Sequence, residues 1–194
     1  MNTEQIKQAS TKFKVTELIK NRFSTVAFAD KMLTNDDMNS IFEAATWAAS
    51  ANNEQPWRYI AALKQNNESF NKIVDLLMPG NQPWAKNAAV LIVCYAKLTF
   101  TLNGKPNVTA LHDVGMANEN MLLQSLSMGI YGHIMGGFDR ERSKEVFNLD
   151  DDHQPICVIA LGYLGDPESL IEPYKTREHT SRSRKPVNEV VTFI

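Results

Sequence analysis

The sequence predicts helices packed around a small set of buried strands, and three observations predict it. Ala88–Ala96 and Ile156–Tyr163 are continuous apolar runs of strand length, as strands covered on both faces are. Ala110–Asp139 opens on a long helical pattern. Its apolar and small residues Leu111, Val114, Gly115, Asn118, Met121, Leu122, Ser125, Met128 and Gly129 recur at three- and four-residue steps. That helix is apolar nearly all round, with acids only at Asp113 and Glu119, so it is expected inside the protein. Finally, 194 residues suffice for one core.

Composition narrows the function classes. A net charge of -2 gives no electrostatic reason to bind nucleic acid or a membrane. Cys94 and Cys157 lie in apolar runs, which suggests buried thiols and a reducing compartment. The first residues lack the apolar core of a secretory signal, and no apolar run approaches the ~18 residues of a membrane span. The expectation is a soluble, cytoplasmic, single-domain protein.

In chain order, Thr3–Phe13 reads as a weak helix, and Thr16 as the cap of a second, Glu17–Asn21. Thr34 and Asp37 form a capping box that opens a helix over Asn35–Ala49, which Ser50–Pro56 breaks. Trp57–Leu63 is a strand and Ser69–Leu77 a helix. Pro79–Pro83 is a loop before the central strand. Leu98–Thr109 holds Asn103-Gly104 and reads as a turn. Gly129 is placed to stop the long helix, Ile130–Met135 is a strand, and Gly136-Gly137 a glycine turn where a ligand can come close. Arg140–Phe147 is helical. Beyond Gly165 the chain is polar and irregular, and it ends in the β-prone Val187–Ile194. That segment has no local core to join, so it is expected to dock on a sheet edge, a partner's included.

No metal site or catalytic triad stands out. His112, His133, His153 and His179 are scattered without ligand spacing, and no nucleotide fingerprint is present. Anion and amide candidates remain. Arg22 and Ser24 follow a helix end, while Arg182 and Arg184 alternate in the tail. Paired guanidinium groups suit a phosphate, although singly each arginine has the profile of a solvated surface residue.

At this point the chain resembles the FMN-dependent nitroreductase family. The match runs through NRFST, ASANNEQPWRY, PGNQPWAKNAAVLIV, DVGMANENMLLQSLSMGI, MGGFD, VIALGY and RSRKPVNEVV, in order along nearly the whole chain. The resemblance implies an α+β fold with a mainly antiparallel sheet flanked by helices. It also implies a homodimer in which residues 165–194 embrace the partner and add a strand to its sheet, with FMN at the interface.

Residue by residue, Arg22, Phe23 and Ser24 match the family's first phosphate-and-ribityl motif, and Arg182 and Arg184 the second basic pair. Asn81 matches the amide on the isoalloxazine edge, and Met135, Gly136 and Gly137 the backbone beside the flavin N5. Ala49, Ser50, Ala51 and Asn53 match the segment that reaches the flavin from the other subunit. No side chain is assigned as catalytic, because the flavin carries the chemistry. The implied activity is ping-pong electron transfer from NAD(P)H to nitroaromatic or quinone-like acceptors. An FMN store or sensor, and a flavin-free dimer holding another anion, are the alternatives.

The chain departs from the family pattern at Val26, where members commonly carry Lys or Arg, at Trp84, where some carry Lys, and at Gly136, often acidic elsewhere. Without those cations the flavin is expected to be harder to reduce. Phe100 and Trp84 are candidates to line an open acceptor pocket.

Overall fold

The computed structural model describes residues 2–194. Its centre is one four-stranded sheet of β1 (Trp57–Leu63), β2 (Val90–Lys97), β3 (Ile130–Met135) and β4 (His153–Tyr163). The order is β1-β2-β4-β3, every neighbouring pair antiparallel. Successive side chains of a strand point to opposite faces. On β2, Val90, Ile92, Cys94 and Ala96 face one core, while Leu91 and Val93 face another. β4 divides in the same way, with Ile159 and Leu161 on the first face and Val158 and Ala160 on the second. Burial on both faces is why these strands read as unbroken apolar runs despite being antiparallel.

The first face is covered by α3 (Asn35–Thr46) and α6 (Ala110–Ser127), through Met38, Ile41, Ala45, Val114, Ala117, Met121 and Leu122. The second is covered by α4 (Asn67–Val74), through Phe70 and Ile73, and by α5 (Gln82–Ala85), through Trp84 and Ala85. Thr34 and Asp37 do form the capping box of α3. Gly129 stops α6 as expected, at φ 72°, in the left-handed region that a glycine enters without a Cβ penalty.

Several boundaries and one burial expectation need correction. The first helix, α1, covers only Thr3–Lys7, because Ala9 donates its backbone N–H to Lys20 O instead of continuing the helical ladder. Thr16 makes no capping bond for α2 (Glu17–Asn21). α3 stops at Thr46, since the turn beginning at Ser50 takes over the backbone. In the single chain α6 buries one face only, leaving Leu111 and Gly115 exposed. After α7 (Arg140–Phe147) and β4 comes α8 (Tyr174–His179), which the polar composition of the tail concealed. Val187–Ile194 forms no strand within the chain. It makes a short 3-10 turn at Val187–Glu189 and leaves Val190 and Phe193 exposed, Phe193 at 88%.

Candidate functional site

The four residues Arg22, Ser24, Arg182 and Arg184, read from opposite ends of the sequence, meet in one cavity of about 240 Å³. Lys7, Phe23 and Arg177 complete its lining. The junction is polar and tight. Lys7, buried, donates Nζ–H bonds to Arg177 O at 2.5 Å and Thr180 O at 2.7 Å. Arg182 donates in return to Lys7 O at 2.5 Å and to Lys20 O. Burial lowers the Lys7 pKa, an effect that Glu178 opposes and that Arg177 and Arg182 add to.

Glu178 is fully buried beside them and accepts the Val26 N–H at 2.6 Å. Phe23 packs its ring 5.0 Å from Tyr131, which aims the chain so that Ser24 stays exposed. Arg22 sits 3.5 Å from Glu119 of α6. Arg184 bonds only Ser183 O and keeps most of its donors free. Five cationic side chains facing one small cavity suit a doubly charged oxyanion such as a phosphate monoester. Lys7 and Arg177 escaped the sequence reading, since no spacing rule links residue 7 to a contact 170 positions away.

A second cluster forms around Asn81. Its Nδ2 donates to Gly137 O at 3.0 Å, and Met78 N–H donates to the same oxygen at 3.0 Å. An added Cβ on Gly137 would come within 3.1 Å of Asn81 Nδ2, so this glycine permits a close approach. Neither Gly136 nor Gly137 has a positive φ, which corrects the expectation of a free glycine turn. Asn81 keeps its Oδ1 for an outside N–H donor, as the edge of a flavin ring offers. The Met135 side chain is buried, so only its backbone is available to a ligand.

α8 ties the two clusters together. The Tyr174 hydroxyl donates to Gly80 O at 2.9 Å, next to Asn81, while Arg177 on the same helix lines the basic cavity. Beneath lies His133, whose Nδ1–H donates to Thr25 O at 2.8 Å and whose ring rests 4.5 Å from that of Trp84. Burial chiefly pushes its pKa down to about 4, Arg177 and Arg22 adding to the effect and the Thr25 bond opposing it.

Val26 and Trp84 belong to this interior. Both side chains are 0% exposed, and the Trp84 indole N–H is bound to Gly80 O. Trp84 therefore cannot line a pocket. Both side chains belong to the core on the second face of the sheet.

The remaining predicted residues, Ala49, Ser50, Ala51 and Asn53, form a third group on the turn after α3. This turn holds three non-glycine residues at positive φ, namely Asn52 (52°), Asn53 (55°) and Gln55 (52°). Its hydrogen bonds run to Asp113, Arg58 and Thr101, and none runs to the Asn81 cluster or the arginines. Within one chain the structure thus joins two of the three predicted groups. Among the described residues no cluster of His, Cys, Asp and Glu is suited to a metal, and no helix is long and apolar enough to cross a membrane.

Against known proteins, the model of the nitroreductase family matches residues 19–163. A solved structure described as an oxidoreductase containing FMN superposes with a TM-score of 0.87 at 32% identity, over 94% of this chain and 93% of that one. A nitroreductase family protein from Streptococcus pneumoniae shares the fold, with a TM-score of 0.73 at 23% identity over 92% of this chain and 98% of its own. An Archaeoglobus fulgidus protein provisionally named NADH dehydrogenase/NAD(P)H nitroreductase is 27% identical over 160 residues, 80% of this chain and 88% of its own.

Proposed function

The chain belongs to the nitroreductase family, and from that premise we propose that it is an FMN-dependent oxidoreductase that takes electrons from NAD(P)H. When bound, FMN supplies the redox chemistry, passing electrons in a ping-pong cycle to nitroaromatic or quinone-like acceptors. The observation that carries the reading is the pairing, through α8, of a cation-lined cavity with the Asn81–Gly137 cluster. The first suits a phosphate and the second the polar edge of a flat ring.

In this reading the residues bind and orient. Arg22, Arg184 and the Ser24 hydroxyl hold the phosphate. Arg182 and Lys7 also build the wall of that site, giving part of their donors, two of five on Arg182 and two of three on Lys7, to backbone carbonyls. Asn81 Oδ1 would accept from the polar edge of the ring, and the backbone at Gly136 and Gly137 would hold the ring from its side. No side chain acts as acid or base.

The protein acts as a homodimer. Trp47 is 79% exposed, Leu111 is exposed on α6, and the tail leaves Val190, Phe193 and Ile194 exposed. A second copy would cover these surfaces, its sheet taking the tail and its cofactor meeting the Ser50–Asn53 turn. The test is anaerobic mixing of the purified protein with NADH or NADPH, followed by a quinone or nitroaromatic. The expected outcome is a yellow dimer of chains of 21.8 kDa each, bleached by the nicotinamide and recoloured by the acceptor. Very slow bleaching would instead identify a flavin store.

A further inference from the structure

The turn after α3 carries an unusual load of backbone strain. Asn52, Asn53 and Gln55 all hold left-handed φ values, and none is a glycine. Such residues persist only where their surroundings over-determine them. Here Gln55 N–H donates to Ser50 Oγ at 3.0 Å, and Arg58 Nη1 donates to Gln55 O at 2.8 Å. Glu54 accepts the Thr101 N–H at 2.9 Å and its hydroxyl at 2.6 Å.

One further clamp comes from the core. Asp113 is 3% exposed, in the first turn of α6, and its Oδ2 accepts the Ala51 N–H at 3.0 Å. The same oxygen takes the Thr109 hydroxyl at 3.3 Å, and Oδ1 lies 3.2 Å from His112 Nδ1. A buried carboxylate is costly unless its lone pairs are met, and the start of a helix favours its charge. The polar groups around it meet that need, and the Ala51 bond ties the turn to α6.

We propose that Asp113 is the positioning residue that fixes the cofactor-facing backbone of the Ser50–Asn53 turn. The inference rests on the proposed function, in which this turn meets the cofactor of a second copy. Asp113 touches no cofactor itself and acts through Ala51. Without it the left-handed residues relax, and the exposed Asn52 and Asn53 amides lose their orientation.

The test compares FMN-saturated wild type, Asp113→Ala, Asp113→Asn and Thr34→Ala. Thr34→Ala removes the capping bond to Asp37 N–H at 3.1 Å, a structural loss at the opposite end of α3 from the turn. Asp113→Ala should raise the acceptor KM about tenfold, the worth of one charge-assisted hydrogen bond, and alter the visible flavin bands. Asp113→Asn, which keeps an oxygen for Ala51, should restore both to near wild type. Thr34→Ala should lower the melting temperature and leave both unchanged.

An Asp113→Ala protein with the KM and spectrum of Thr34→Ala would overturn the proposal. Should Asp113→Ala not fold, hydrogen exchange on the wild-type holoprotein decides. The Ala51 amide should be protected like the interior of α6, and exchange at the rate of an open loop would overturn the inference. A wild type that binds no FMN refutes the functional reading, whereas an active wild type with an indifferent Asp113→Ala refutes this inference alone.

Discussion

The two ends of the proposed cofactor cleft are built in different ways. At the ring end, Asn81 and Gly137 sit directly beside regular structure, at the start of α5 and the end of β3, and meet through one side-chain-to-backbone bond. At the phosphate end, residues from the first 24 positions meet residues from 177 onward, held by Lys7, Arg182 and Glu178 reaching for backbone groups. The ring end is thus formed once the sheet is formed. The phosphate end forms only when the tail has closed on the N-terminal segment. Closing so long a loop costs entropy, which the charged hydrogen bonds must offset.

Replacing Arg182 would break this contrast most strongly. Arg182→Ala removes two charge-assisted bonds to carbonyls as well as a cation. We expect about 2–4 kcal/mol of stability to be lost, with part exposure keeping each bond below its full value. FMN affinity should fall with it. Chemical denaturation of apo and holo protein measures both. If the tail packs without this side chain, stability will be unchanged.

His133, bound to Thr25 O and packed on the Trp84 ring, gives the fold a pH dependence. Its pKa is held at about 4 in the fold, against about 6.5 in an unfolded chain. The unfolded state therefore takes up a proton first as the pH falls. No stability is lost from this group above pH 6.5. The loss grows between 6.5 and 4 and reaches ~3 kcal/mol near the folded value. His133→Gln should show a correspondingly smaller loss between pH 7 and 4, read from urea midpoints. Parallel curves for the two proteins would refute this role.

Arg22 and Arg184 sharpen the division between wall and ligand contact. Arg184 bonds nothing of the fold beyond Ser183 O, so Arg184→Ala should leave the melting temperature of the apoprotein unchanged. FMN affinity should drop roughly ten- to hundredfold, as for Arg22→Ala. Fluorescence titration of the apo-variants checks this, and unaltered affinity would return both to the class of solvated surface residues.

The smallest effect belongs to the ring end. Gly137→Ala places a Cβ 3.1 Å from Asn81 Nδ2. Displacing that amide by a few tenths of an ångström should weaken FMN binding several-fold, ~1 kcal/mol. Gly136→Ala meets no atom within 4 Å and should leave the stability of the apoprotein unchanged. Unchanged FMN affinity in Gly137→Ala would mean that the close approach of Gly137 to Asn81 does not shape the site.

Most of this architecture was legible in the residues. β1 and β3 occupy the predicted Trp57–Leu63 and Ile130–Met135, and α6 opens at Ala110 as its pattern requires. Periodicity served there because burial follows the pleat or the helical turn. The contacts at the phosphate end follow no period. Lys7 and Glu178 are buried charges in polar stretches, and only the folded chain shows Lys7 donating to the carbonyls of Arg177 and Thr180 and Glu178 accepting the N–H of Val26. The positions of Val26 and Trp84 could be aligned to the family, but not which way their side chains point. Both turned into the core because Phe28, Ala88 and Leu91 form an apolar wall there. The tail's β-prone residues pair with no strand among the described residues, and Val190, Phe193 and Ile194 stay exposed.

In the proposed function the arginine cavity and the Asn81–Gly137 cluster are two ends of one FMN site. Equilibrium titration of apoprotein with FMN and with riboflavin, which has the same ring without the phosphate, tests it most directly. The expected result is tight binding of one FMN per chain and much weaker riboflavin binding, with Arg184→Ala lowering the affinity for FMN and leaving that for riboflavin unchanged. Equal affinities for the two flavins, or no binding of either, would contradict it.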